Sequence, residues 1–286
     1  MRRSRGYILP MALSLIAMAA IVLAQVCRQT MRQSLAASQD ARELQVRWGM
    51  RSCQATFLPQ AEAILAAGEK AAHQPLPSVQ TQVQLGGCRF ELLVADETAK
   101  ANLNTLYRRH DLTAVEEAAR SAARSSNSSV QVRLRPMNRD LSPALGEKLP
   151  PAFGSFGQVF DEAAVASPLA IRSAAGDLTC WGGGKLNWRR ASAAALEQVL
   201  HGNRQAADRI VSLRQAAASG TPLTLAAALQ LAPELKKTAN LWFTEKSDAQ
   251  SLWITCGDPS HPAAWLAVRE THSNGRSQVT NFSWQP

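Results

Sequence analysis

Gly6-Tyr-Ile-Leu-Pro10-Met-Ala-Leu-Ser-Leu-Ile-Ala-Met-Ala-Ala20-Ile-Val-Leu-Ala-Gln25-Val-Cys27 is the stretch that decides the fold. Its residues 7–27 carry no formal charge. At ~1.5 Å of rise per residue they make about 31 Å of helix, the thickness of a bilayer's hydrocarbon core. Met1-Arg-Arg-Ser-Arg5 precedes it and holds the amino end on the cytoplasmic side. Three kinds of segment share this pattern: a secretory signal, a permanent anchor and a prepilin-type leader with its helix. Ala17-Met18-Ala19 and Ala24 offer cleavage sites for the first.

The residues just past the apolar run separate the three. From Gln25 to Trp48 there is no Gly and no Pro. Met31, Leu35 and Ala41 to Leu44 recur at helix-like spacing, with Arg28, Arg32, Gln33, Asp40 and Arg42 between them. The pattern predicts one helix of about 40 to 50 residues, apolar in its first half and amphipathic in its second. Pro10 falls in the first turn, where its missing N–H has no partner to lose.

A basic leader ending in Gly6, then an uncharged helix that continues as a stalk, resembles the type IV pilin and type II secretion pseudopilin class. The resemblance implies that a prepilin peptidase cuts between Gly6 and Tyr7 and that the new amino terminus at Tyr7 is methylated. The class usually carries Glu as fifth residue of the mature chain, where it neutralises the amino terminus of a neighbouring subunit. Met11 stands there. A subunit without that carboxylate resembles the one with no neighbour above it, at the tip.

The segment Asp96-Glu97-Thr-Ala-Lys100-Ala-Asn102-Leu103-Asn104-Thr105-Leu106 narrows the class. An acidic pair, a short turn and an Asn-Leu-Asn-Thr run resemble the mark of the minor pseudopilin called protein K. Physically it reads as a strand handing over to a helix, with Leu103 inward and Asn104 or Thr105 capping a helix that begins at Leu106. A weaker echo occurs about 85 residues on, at Gly184-Lys185-Leu-Asn187-Trp-Arg189-Arg190-Ala-Ser192. There Arg189-Arg190 replaces the expected second Asn and its Thr.

Strand-like alternation marks Val79–Leu85, Cys88–Ala95, Ser251–Cys256, Ala264–Glu270 and Gln278–Trp284, and Leu241–Thr244 reads as a further short strand. Most of the chain between is helical. The expected fold is α+β: a pilin-like long N-terminal helix packed on a small antiparallel sheet, with a large, mainly α-helical insertion. The divisions are 1–6 leader, 7–27 membrane part, 28–72 stalk, 73–104 with 247–286 as α/β body, and 105–246 as insertion.

The net charge is +9 and falls to +6 once the leader's three Arg are removed. The basic residues are scattered, with Arg108-Arg109, Arg189-Arg190 and Lys236-Lys237 the adjacent pairs past the leader, and no stretch interleaves them with aromatics. A solvated surface, and no nucleic-acid partner, is the expectation. Of the five cysteines none has CxxC spacing. Local pattern suggests that Cys180 pairs with Cys256 and Cys53 with Cys88, leaving Cys27 as a thiol at the membrane edge. Members of the protein K type can bind calcium. Asp96, Glu97 and Asp258 are the acidic candidates here, but 22 acids without an Asp-x-Asp run give an ion little to hold it. No HExxH, GxSxG or GxxxxGK[ST] occurs, and Trp181-Gly-Gly-Gly-Lys185 reads as a bulged turn.

The expected function is therefore non-enzymatic. The resemblance implies a single-pass inner-membrane subunit with its body in the periplasm, at the tip of the type II secretion pseudopilus, partnered by other minor pseudopilins. A minor pilin of a type IV pilus is the near alternative. An anchored periplasmic protein binding nucleic acid through helix-hairpin modules is the distant one.

Overall fold

The computed structural model describes residues 8–125, 130–137, 151–200, 202–217, 239–257, 263–272 and 275–284. Thr221-Pro-Leu and Ala232-Pro-Glu-Leu, which read in sequence as helix starts with Pro in the first turn, lie outside these residues. The chain divides into two units within its first helix, between Gly49 and Met50.

The first unit is the greater part of helix α1 (Ile8–Phe57), 50 residues without a break. It holds a window long and apolar enough to cross a membrane, with mean hydropathy 2.2. Large apolar side chains from Leu9 to Val26 are exposed all round the helix. A helix apolar on every side and buried on none has lipid or other helices as its natural surroundings.

The second unit begins with the last two turns of α1. Met50 and Cys53 are buried, and Gln54 bridges two strands: it accepts from Trp265 Nε1 and donates to Asn281 Oδ1, both at 2.9 Å. Pro59 interrupts the helix, and α2 (Ala61–Ala72) comes next, buried through Ala61 and Leu65. The strands β1 (Ser78–Leu85) and β2 (Cys88–Asp96) then form a hairpin through Gly86-Gly87, both at positive φ.

After a long excursion the chain returns as β7 (Ala249–Cys256), β8 (Ala263–Thr271) and β9 (Ser277–Trp284). The sheet order is β1-β2-β7-β8-β9, every pair antiparallel. Its central strand β7 is buried on both faces, while the edge strands β1 and β9 are exposed to half-buried. Leu93, Trp253, Leu266 and Phe282 stand side by side across four strands and belong to the large apolar core built by the excursion. One residue along each strand, Leu92, Ile254 and Trp265 form the next row, on the face with Gln54 and α2. Strand alternation puts each set on its own side.

The excursion is mostly short helices: α3 (Leu103–Arg109), α4 (Leu112–Ser125), α5 (Glu162–Val165), α6 (Pro168–Ala174), α7 (Ala193–Val199), α8 (Arg204–Ala217) and α9 (Ala239–Trp242). Two parallel pairs of two-residue strands stitch it together, β3 (Ala101–Asn102) with β4 (Leu178–Thr179) and β5 (Leu186–Asn187) with β6 (Phe243–Thr244). The described residues therefore form an α+β fold, with a long N-terminal helix and one antiparallel sheet. The pattern from Ala193 onward allows one helix or two broken at Gly202; the structure has two, α7 and α8, with Gly202 at positive φ. Elsewhere sequence expectation and structure differ locally. The strand expected at Leu241–Thr244 begins only at Phe243, after a helical turn. Thr113-Ala-Val-Glu116 fits a capping box in sequence, but Asp111 Oδ1, accepting from Ala114 N at 3.0 Å, caps α4.

Leu266 sits between Trp253 and Phe282 and is 1% exposed. Leu266→Ala should cost about 2–5 kcal/mol in denaturant unfolding, while Val279→Ala, at an exposed position, should cost under about 0.5 kcal/mol.

Candidate functional site

Gly6 and Tyr7 lie outside the described residues. Met11 is on α1 and 69% exposed.

The asparagine run is a cross-link as well as a cap. Asp96 ends β2, and its Oδ1 accepts from Thr98 N at 2.9 Å, opening a single 3₁₀ turn over Glu97–Ala99. Glu97 and Lys100 form an ion pair of 2.6 Å inside the protein, and Ser251 Oγ donates to the same Glu97 oxygen at 2.5 Å. The helix expected from Leu106 begins three residues earlier, at Leu103. Its cap is Asn102, whose Oδ1 accepts from Thr105 N at 3.0 Å, and not Asn104 or Thr105. Asn104 is released for a different task. Its amide donates to Phe153 O and Cys180 O and accepts from Phe153 N, all within 2.8–2.9 Å. Asn102 Nδ2 reaches Trp181 O at 2.7 Å. Two buried amides thus satisfy backbone groups of two distant segments that no strand or helix serves. Leu103 is inward and fully buried, as its place in the run suggests.

The second run repeats the device with a change. Lys100-Ala-Asn102 and Lys185-Leu-Asn187 each end in a two-residue parallel strand, β3 and β5. Where the first run continues with Asn104-Thr105, the second has Arg189-Arg190. Arg190 is 8% exposed and its guanidinium meets three carboxylates: Glu62 (2.8 Å) and Glu69 (2.7 Å) of α2, and Asp96 (3.3 Å) at the end of β2. Ser247 Oγ and Asn187 Nδ2 also donate to Asp96 Oδ2. Burial would lower the basicity of Arg190, but hydrogen bonds and charge from Glu62 and Glu69 outweigh it, and the guanidinium is held more firmly protonated than usual. At Asp96, by contrast, burial dominates and pushes the carboxyl up, against the opposing pull of Ser247, Arg190 and Asn187. The Asp96–Arg190 contact is the longest of the three ion pairs, in keeping with desolvation winning there.

Between the two runs lies a crevice of about 740 Å³, lined among others by Asn104, Thr105, Trp181, Asp248, Glu270 and Gln278. One wall is the glycine turn. Gly182 N donates to Glu270 Oε1 at 2.7 Å and Gly183 N to Asp248 Oδ2 at 2.9 Å. Gly182 and Gly184 have positive φ, and a Cβ on Gly184 would stand 2.2 Å from Thr105 Oγ1. The glycine turn is thus an anion nest occupied by the protein's own carboxylates.

The structure overturns both expected disulfides; none of the five cysteines is bridged. Cys180 lies two residues before Gly182, whose Cβ position is 3.3 Å from Ala249 at the start of β7. Cys256 ends that strand, seven residues or about 23 Å further on. A bridge needs Cα atoms within about 7 Å. Cys53 adjoins Gln54, which lies over β8 and β9, whereas Cys88 opens β2, two strand spacings or about 10 Å from β8. Burial pushes the Cys53 thiol up; it does the same at Cys180, with the charge of Glu97 adding to it.

The acidic residues singled out for calcium do not fit it. Asp96 and Glu97 serve separate networks: both Asp96 oxygens are taken by Thr98, Asn187, Ser247 and Arg190, and Glu97 Oε1 by Lys100 and Ser251, which leaves one buried oxygen, Glu97 Oε2, where an ion needs several. Asp258 lies outside the described residues. Among the described residues no three of His, Cys, Asp and Glu gather where they could hold a metal. Sequence reading missed Arg190's partners, Glu62 and Glu69, which are 128 and 121 residues away. The signal was the arginine pair standing in an asparagine slot.

Removing one side of the clasp strands the others. Arg190→Met should cost about 3–5 kcal/mol of unfolding free energy by leaving Asp96 buried beside no cation. A group whose folded pKa is raised stabilises the fold below its unfolded value, about 3.9, and loses that contribution as pH rises through the folded value. The stability of the parent relative to Asp96→Asn should therefore fall as pH increases from about 4 upward. A difference that grows with pH would contradict it. Adding calcium or a chelator should leave the thermal midpoint of the full-length chain unchanged.

No family model and no curated protein sequence matches the chain. A search of solved structures matches "The Crystal Structure of the GspK-GspI-GspJ complex from enterotoxigenic Escherichia coli Type 2 Secretion System" at 12% identity and a TM-score of 0.43, over 88% of this chain and 99% of that one.

Proposed function

We propose that the chain is a minor pseudopilin of the protein K type, seated at the tip of a type II secretion pseudopilus, where it nucleates and caps assembly for export across the outer membrane. The observation that carries this reading is α1. Its apolar side chains from Leu9 to Val26 are exposed, yet the same helix continues without a break for 50 residues and ends among the strands of the body. A cleavable signal has no need of a helix shared with the mature fold, whereas a helix of this kind serves both as anchor and as packing element. In this reading the amino end is cytoplasmic, the body periplasmic, and the helix packs beside those of other minor pseudopilins.

Met11 fits the tip. Glu at that position would offer a carboxylate to the amino terminus of the next subunit, and methionine offers none. The buried asparagines and the Arg190 clasp belong to the scaffold of the body.

Co-expression with and without a prepilin peptidase, together with sequencing of the mature amino terminus, tests the reading. A methylated Tyr7 start, dependent on the peptidase, is the expected result. An intact Met1, or a start near Ala19 or Ala24, would sink it. In the host of origin, deletion should abolish secretion of exported proteins and leave surface pili in place; the reverse pattern would assign the chain to a type IV pilus.

A further inference from the structure

The two edges of the sheet are unguarded. Natural edge strands are blunted by charge, proline, bulges or brevity, because unpaired N–H and C=O groups invite another strand. Here β1 and β9 each run eight residues without a charged residue or a proline. Their pairing with β2 and β8 is continuous, one residue to one, with no bulge. Among the described residues no backbone partner lies along the outer side of either.

The edge at β9 has a second feature that β1 lacks. Gln278 and Thr280 stand on the face that lines the 740 Å³ crevice, together with the carboxylates of Asp248 and Glu270. Gln278 is the direct neighbour of Glu270 across β8 and β9. Among the described residues that line the crevice, these two carboxylates face one guanidinium, that of Arg108. Each carboxylate accepts a glycine N–H in the nest, and Asp248 Oδ1 also accepts from Thr98 Oγ1 at 2.8 Å; the second oxygen of Glu270 and the remaining lone pairs of both can take another donor. A strand added beside β9 would place the residue opposite Gln278 about two strand spacings, ~10 Å, from Glu270. The side chains of a lysine or arginine and a glutamate together span that distance.

We infer that the outer edge of β9 receives an extended segment of a partner chain, bonded backbone to backbone, with a lysine or arginine reaching over the crevice to Glu270 and Asp248. Strand addition supplies the affinity and the acidic crevice the register and the choice of side chain. The inference stands on this surface alone and does not depend on the reading of α1.

The probe is a pair of fluorescein-labelled synthetic peptides of about nine residues, alternating threonine and valine, with lysine at the centre of one and glutamate at the centre of the other. They are titrated against the full-length chain in detergent micelles by polarisation. Amide hydrogen exchange is measured over residues 277–284. The lysine peptide should bind about tenfold more tightly than its twin and slow exchange along β9. Glu270→Gln, which keeps the acceptor for Gly182 N, should shrink that preference several-fold. Val279→Lys, which charges the edge at an exposed position, should weaken both peptides, its thermal midpoint serving as the check on folding. Equal binding of the two peptides, protection confined to β1, or slowed exchange in β9 that rises with protein concentration without peptide would each overturn the inference; the last would make the occupant a second copy.

Discussion

One arginine holds the parts of the body together. Arg190 reaches from the helical excursion to two glutamates of α2 and to the aspartate that ends β2. Glu62 and Glu69 are seven residues apart, two turns of helix, and so lie on one face of α2. A planar guanidinium with five donors can serve both and still meet Asp96, which a lysine cannot do. The cluster carries three acids against one base, so its geometry is stringent. Desolvation at Asp96 prevails although Ser247 and Asn187 add neutral donors to the same oxygen and Arg190 adds its charge. Remove the arginine and the helix, the sheet and the excursion lose their common charged contact.

Around that contact the two asparagine runs divide the work. The first uses amides, Asn102 and Asn104, to satisfy backbone groups of segments 49 to 79 residues away. The second keeps Asn187 but replaces the next pair with arginines, and so trades a neutral cross-link inward for a charged one outward to α2. What looks like decay in the second run is a change of partner. The glycine turn that joins the runs closes on Asp248 and Glu270, which puts both carboxylates at the mouth of the crevice.

Much of this fold is legible in sequence, and the reason is local periodicity. The unbroken helix from the apolar run into the stalk, the hairpin through Gly86-Gly87 and the three C-terminal strands all come from spacing within a few residues. Leu103 inward and a break at Gly202 are readable in the same way. The clasp was not legible, because Glu62, Asp96 and Arg190 meet only after the sheet and excursion have formed. The cap at Asn102 was missed by two residues, since the same run offers three side chains that could do it and only the buried amide contacts of Asn104 decide. The disulfides failed for a related reason. Residues in strand-like runs can be recognised from pattern, but where along a strand a distant segment lands cannot. Gly182 meets the first residue of β7 and Cys256 is the last.

The sheet's central pairing joins β2 to β7 across the whole excursion; Glu97 and Ser251, bonded at that seam, are 154 residues apart. A ribosome adding roughly 5–20 residues per second needs about 8–30 s to supply the second strand. For that interval β2 is an open edge: Phe90, Leu92 and Val94 face α2, which is already made, but Leu93 on the other face waits for the core built by the excursion. The hairpin's other strand, β1, protects only one side of it. The order of synthesis therefore makes the excursion a timer. The body can close only when β7, β8 and β9 have emerged, and the chain's most aggregation-prone moment falls before that, with its apolar anchor already made.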